Sequence, residues 1–151
     1  MTAIRKFLEL TATEKICFLR ALSLLTTLKL HLALMSVETV CRKTFNSSEK
    51  LRGRRCHTLP MTKISSLLGI ASRIVPFSTC LSISLAGAIL FAEYGYMARL
   101  HIGACRENGE IFKAHAWLTV NGTVVAGDLP GLEIFREFDL SAFMKQKKNN
   151  P

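Results

Sequence analysis

Apolar residues recur at helical intervals along the first part of the chain. Ile16, Leu19, Leu22, Leu25 and Leu28 follow Thr11-Ala12-Thr13-Glu14, a spacing in which a hydroxyl and a carboxylate can satisfy each other's backbone donors. A capped helix is predicted there, with that stripe packed into a core. A second helix is predicted from about Ser36 to Thr44, and a third from roughly Met61 to Ile74, stopped by Pro76. Residues 46–60, between the last two, read as an exposed basic loop. From residue 78 the pattern changes. Ser78 or Thr79 can cap a helix that passes through Leu85, Ala88, Ile89 and Ala92 and ends at Gly95. Three strand-like runs come next, Ala98–Cys105, Ile111–Val120 and Thr123–Asp128, separated by Asn108-Gly109 and Asn121-Gly122. Asn-Gly between β-prone runs is the strongest short-range hairpin signal.

The pattern is that of an α+β protein with a helical first half and a small antiparallel sheet in the second. Its 151 residues fit one compact unit, and a 49% hydrophobic composition excludes a disordered chain. Three parts are distinguished: a helical basic part over residues 1–75, a mixed helix-and-sheet part over 76–145 and a frayed tail over 146–151. Residues 1–73 carry 13 basic and 4 acidic side chains, whereas residues 74–151 carry 7 of each, so the net charge of +9 belongs to the first half. Such a charge invites an acidic partner.

Five cysteines, Cys17, Cys41, Cys56, Cys80 and Cys105, are widely spaced with no C-x-x-C pair, which argues against structural zinc. The apolar run after Arg5 and Lys6 is interrupted by Arg20, Lys29 and His31 with no small-residue cleavage site, so a cytoplasmic protein with reduced thiols is expected. Ile74–Ala92 is uncharged over a length close to a membrane span. Its Pro76, Ser78, Thr79, Ser82 and Ser84 fit a buried helix of a soluble protein better, and no transmembrane span is expected.

Candidate chemistry gathers in the second half. Cys80 is expected at the second or third position of a helix, where unpaired N–H groups and the helix dipole favour a nucleophilic thiolate; a lone cysteine is otherwise a small buried hydrophobe. If Asn121-Gly122 is a two-residue turn, His115 and Asp128 fall opposite each other on one sheet face, with Cβ atoms roughly 4.5–5.5 Å apart. A carboxylate so placed would hold the imidazole in one tautomer, as a cysteine nucleophile's base requires. A bulge at Gly127 would move that register by one residue. Trp117 shares the face of His115 and can shield the pair from water, or simply pack the sheet. His31, His57 and His101 have no such partner in the sequence and read as structural or exposed.

The run Ser78-Thr79-Cys80-Leu81-Ser82, then Ala114-His115-Ala116-Trp117-Leu118, Val120-Asn121-Gly122 and Asp128, resembles the transglutaminase-like cysteine protease family. Within it, the chain looks like the stand-alone leader peptidases of bacterial lasso-peptide biosynthesis. Glu93-Tyr94-Gly95-Tyr96 and Ala98-Arg99-Leu100-His101-Ile102-Gly103 are similar to that pattern too. The resemblance covers residues 76–128. It implies a transglutaminase/papain-like core with a nucleophile helix packed on a small antiparallel sheet. Cys80 would be the nucleophile, His115 the general base and acid, and Asp128 its orienter, with Asp139 the weaker substitute. No metal or cofactor is implied. The implied partners are a precursor peptide with leader and core, a separate leader-recognition protein and an ATP-dependent macrolactam cyclase.

Two other readings stay open. The same three residues could pass an acyl group to an amine instead of water. Alternatively Arg42, Lys43, Lys50, Arg52, Arg54 and Arg55 could form a non-catalytic basic surface for nucleic acid or membrane. Against nucleic acid, residues 46–76 hold no aromatic side chain for base stacking. The arginines of residues 52–55 are instead candidates for docking an acidic leader or the recognition protein.

Overall fold

A computed structural model describes residues 7–56, 58–107 and 111–140. Four helices, α1 (Ala12–Leu34), α2 (Val37–Leu51), α3 (Met61–Ile74) and α4 (Cys80–Glu93), precede an antiparallel sheet. Its strands β1 (Ala98–Glu107), β2 (Ile111–Val120), β3 (Thr123–Ala126) and β4 (Arg136–Glu137) lie in the order β3-β2-β1-β4. The α+β architecture expected from the sequence is the one observed. The Asn108-Gly109 turn and the tail 146–151 fall outside the described residues.

The helix ends follow their capping chemistry. Thr11 caps α1: the Glu14 N–H donates to Thr11 Oγ1 at 3.3 Å and the Thr11 N–H to Glu14 Oε2 at 2.7 Å. Thr79 caps α4 by the same exchange with Ser82, at 3.2 and 2.9 Å, so Cys80 is the first helical residue rather than the second or third. At the other end of α4 the Gly95 N–H donates to Ala92 O and the Tyr96 N–H to Phe91 O, closing a Schellman turn.

Two expectations about helices are corrected. The stripe Ile16, Leu19, Leu22, Leu25, Leu28 reaches the core only in its second part: Leu25 and Leu28 are buried and Leu22 packs against them, but Ile16 and Leu19 are exposed. A constant step of three residues falls about 60° short of a full turn each time, so such a series winds around the helix. The buried series is Glu14, Cys17, Phe18, Ala21, Leu24, Leu25 and Leu28. Residues 46–51 belong to α2 rather than to a loop, with Ser48 Oγ bonded to Thr44 O at 2.9 Å. The basic segment that follows is tied down, because the Gly53 N–H donates to Ala92 O at 2.8 Å and the Arg55 N–H to Glu93 O at 2.7 Å.

α4 is central. Leu85, Ala86, Leu90 and Phe91 are wholly buried, and the helix packs on α1, α2, α3, β1 and β2. Residues of all four helices join Leu118, Val120 and Val125 of the sheet in one apolar cluster. Ile74–Ala92 is not a continuous span, being broken between α3 and α4. By length and composition α1 alone among the described helices could cross a membrane, yet it contributes Cys17 to Leu28 to this core and its Arg20 clasps the buried Glu93 through Nε and Nη2 at 2.8 and 2.6 Å.

Lys63 Nζ of α3 lies 2.8 Å from Glu14 Oε1 of α1. This ammonium, then the Thr11 N–H, hold the Glu14 carboxyl at about 2, below its ordinary 4.5. Because the folded value is the lower, the contribution to stability is complete above pH 4.5 and is lost as the pH falls towards 2. Thermal melts of Glu14→Gln and wild type should therefore differ most above that window, with wild type the more stable, and converge at its acid end. A difference that held constant with pH would contradict the pairing.

Candidate active site

Cys80 opens α4, half-buried, where the first-turn N–H groups of the helix have no intrahelical partner. Just before it the chain turns at Pro76-Phe77. Phe77 has φ 58° and is 86% exposed, with Lys29 Nζ 5.2 Å from its ring centroid and 2.8 Å from Pro76 O. Burial pushes the Cys17 thiol up to about 11 and raises that of Cys41 as well. Cys105 is buried and Cys56 exposed, and all five cysteines are free.

The second half of the site is built on the β2-β3 hairpin. Asn121 and Gly122 both take positive φ, at 50° and 79°, and Val120 pairs with Thr123 and Thr119 with Val124, as the Asn-Gly signal predicts. The register then shifts. Leu118 pairs with Ala126 across a bulge, and β3 ends there. The expected opposition of His115 and Asp128 is therefore corrected by one residue, with the bulge at Val125 and not at Gly127. Asp128 is exposed, past the end of the strand.

A different group meets the imidazole. His115 Nε2 lies 2.7 Å from Gly127 O. A carbonyl can only accept, so Nε2 carries the proton and, in the neutral ring, Nδ1 holds the lone pair. The backbone thus does the tautomer-fixing that the sequence assigned to a carboxylate. The turn permits it because Gly127 takes φ 75° and lies against Ala116 and Trp117: a Cβ there would stand 2.5 Å from Ala116 O and 2.9 Å from Trp117 Cα. Among the described residues, no hydrogen bond joins Cys80 to His115 or His115 to Asp128.

Along β2, Leu118 and Val120 are buried in the helical core while His115, Trp117 and Thr119 alternate onto the other face. That face also carries His101, which by sequence reads as structural or exposed. His101 of β1 places Nδ1 2.8 Å from Glu137 Oε1 and Nε2 2.8 Å from Thr119 Oγ1. Glu137 stands 36 positions away on a two-residue strand too short to announce itself, so no local signal pairs the two. Elsewhere an apolar cavity of about 740 Å³ lies between α2, α4 and β1, rimmed by Arg42, Arg52 and Arg99 and lined by none of Cys80, His115 and Asp128. Among the described residues no cluster of three or more His, Cys, Asp or Glu could hold a metal ion.

The order of these parts, a cysteine at the head of a buried helix followed by a histidine on an antiparallel sheet, defines a class. The chain belongs to the transglutaminase-like superfamily, whose family model matches residues 16–138 and so takes in α1 to α3 as well as the sheet. This is a fold of cysteine peptidases and acyltransferases. No curated protein and no solved structure matches the chain.

Gly127→Ala should destabilise the protein by about 1–3 kcal/mol in chemical denaturation, since it adds a Cβ both to a left-handed residue and to a backbone contact. A variant as stable as wild type would mean that the bulge relaxes freely and does not hold His115.

Proposed function

We propose that this protein is a cytoplasmic cysteine peptidase that removes the leader from a ribosomally made lasso precursor peptide. The observation that carries the reading is Cys80 at the first position of α4 within a transglutaminase-like chain, together with an imidazole on β2 whose Nδ1 is left as the basic nitrogen. In this reading Cys80 Sγ, deprotonated by His115, attacks the scissile carbonyl carbon. The tetrahedral intermediate collapses as the C–N bond breaks, and His115 returns the proton to the departing amine of the core peptide. Water, activated by the same imidazole, then attacks the thioester, the C–S bond breaks and the leader leaves as a carboxylic acid. Asp128, next to the carbonyl that His115 contacts, is assigned as orienter of the imidazolium. Catalytic hydrogen bonds commonly tighten only when substrate is bound.

The implied partners are the precursor, a separate leader-recognition protein and the ATP-dependent cyclase that closes the macrolactam on the freed amine. Docking of an acidic leader or of the recognition protein is assigned to the arginines of residues 52–55. In the folded chain Arg52 pairs with Glu49 and Arg55 lies 3.8 Å from the buried Glu93, so Arg54 is the strongest candidate. Acyl transfer to an amine by the same residues is the alternative that the superfamily supports equally. The mass of the product separates the two, because hydrolysis adds water and transfer adds the acceptor.

Cleavage of a lasso precursor supplied with its recognition protein should fall on the order of 10⁴-fold in Cys80→Ala and His115→Ala, with the circular dichroism of wild type retained. Undiminished cleavage in Cys80→Ala would end this reading. With Cys56 replaced by Ser, one equivalent of iodoacetamide at neutral pH should label Cys80 ahead of Cys17, Cys41 and Cys105, as read by peptide mass. Equal labelling of all four would count against an activated thiol.

A further inference from the structure

Three rings lie in a row on the sheet face that carries His115. The His101 and Trp117 rings are stacked with centroids 5.3 Å apart and planes 6° from parallel; Trp117 and His115 follow at 6.2 Å and 11°. Phe135 leans on the far side of this row, 5.6 Å from His115 and 6.5 Å from Trp117. The row is closely fitted. A Cβ on Gly103 would stand 2.9 Å from Arg136 O and 3.1 Å from Trp117 Cη2, so a side chain there would collide with the β4 backbone and press on the indole. Trp117 is 8% exposed.

His101 is held at both ends. Glu137 of β4 takes Nδ1 and the Thr119 hydroxyl of β2 takes Nε2, leaving the imidazole no free rotation about its ring plane. The charged side chains around it are Glu137 itself, Arg99 of β1, whose Nη2 is 3.6 Å from Glu137 Oε1, and Lys113 of β2 further along the same face by alternation. An imidazole bonded on both nitrogens is a rigid plate. Whatever packs on it inherits its orientation, and Trp117 packs on it.

We infer that His101 is a positioning residue for His115: fixed by Glu137 and Thr119, it sets the plane of Trp117, which in turn sets the plane of the His115 ring. The Gly127 carbonyl fixes one direction within the His115 ring, that of Nε2–H, but a single bond leaves the ring free to roll about that axis. The stack supplies the missing constraint and so decides where Nδ1 points. A displacement of about 1 Å at a reacting group can cost on the order of 100-fold in rate, so the plate two rings away bears on the chemistry without touching a substrate. The inference rests on the assignment of Cys80 and His115 made above.

Trp117 is the single tryptophan of the chain, and protonated imidazole quenches indole emission, so the row carries its own reporter. The test uses the whole chain with Cys56→Ser, iodoacetamide as the probe of Cys80, and alkylation rates and Trp117 emission both followed against pH. In His115→Ala the alkylation profile of Cys80 should lose its neutral-pH rise. His101→Ala should lower the neutral-pH rate about tenfold and alter the Trp117 emission profile. His101→Phe, which keeps a flat ring on Trp117 without the two hydrogen bonds, should leave the rate about as low as in His101→Ala; recovery to within about twofold of wild type would show that ring bulk alone suffices and overturn the role given to Glu137 and Thr119. Melting temperatures measured alongside separate this from mere support of the sheet, which would lower stability in His101→Ala yet leave the alkylation profile of the folded protein unchanged. A His101→Ala profile that superimposes on wild type, while that of His115→Ala does not, overturns the inference alone. A His115→Ala profile that superimposes overturns the assignment of His115 and the inference with it.

Discussion

Burial of α4 on nearly every side is the constraint on which the rest of the structure depends. A helix so enclosed meets both its ends with protein groups. Thr79 and Ser82 close the N-terminal end and the Gly95 turn the C-terminal one. The last helical residue, Glu93, is a carboxylate with 3% exposure, and it is held by Arg20 from α1 and Arg55 from the segment after α2. Loss of Arg20 would leave the buried Glu93 carboxylate with only the more distant Arg55 against it, an unfavourable state for a charge so little exposed. The enclosure therefore orders more than apolar packing. It recruits the basic first half to the C-terminal end of the helix and leaves the N-terminal end, with Cys80, the more open.

The charge of the first half acquires a structural meaning from this. Arg20, Arg55 and Lys63 each meet a carboxylate that is largely or wholly buried, while Arg42 meets Glu38 within α2 and Arg52, just past its end, meets Glu49. Exposed pairs of that kind contribute little to stability, but they do lower the charge that an acidic partner would meet. Glu14, Glu38 and Glu49 are already subtracted in the first half's net charge, whereas Glu93 comes from the second half and adds one buried carboxylate to its basic groups.

The sheet divides labour between its faces. One face, with Leu118 and Val120, completes the helical core, and the other carries a row of rings under Phe135. The β3 bulge at Val125 links the two. It ends the ladder early, turns the chain at Gly127 and aims a backbone carbonyl at His115 where a regular strand would have aimed a side chain. The same displacement puts Asp128 beyond the strand and among exposed residues.

Local rules sufficed for the cap at Thr11, for narrowing the α4 cap to Ser78 or Thr79, for the helix Met61–Ile74, the Asn121-Gly122 turn and the α+β order, because each depends on residues within a few positions of one another. The inward face of α1 is not legible locally, since apolar side chains occupy most of its circumference and only the neighbours choose which of them are inside. The same limit applies at the site. Cys80, His115 and Asp128 could be picked out by type and order, but the bulge that moves the register, the carbonyl that fixes the His115 tautomer and the Glu137 that holds His101 all depend on strands meeting across long stretches of chain. The sequence alone determined which chemistry-bearing residues exist and which elements carry them. Tertiary structure decided which of them touch, for contact across a sheet is set by register and packing, and neither is encoded in any short stretch of residues.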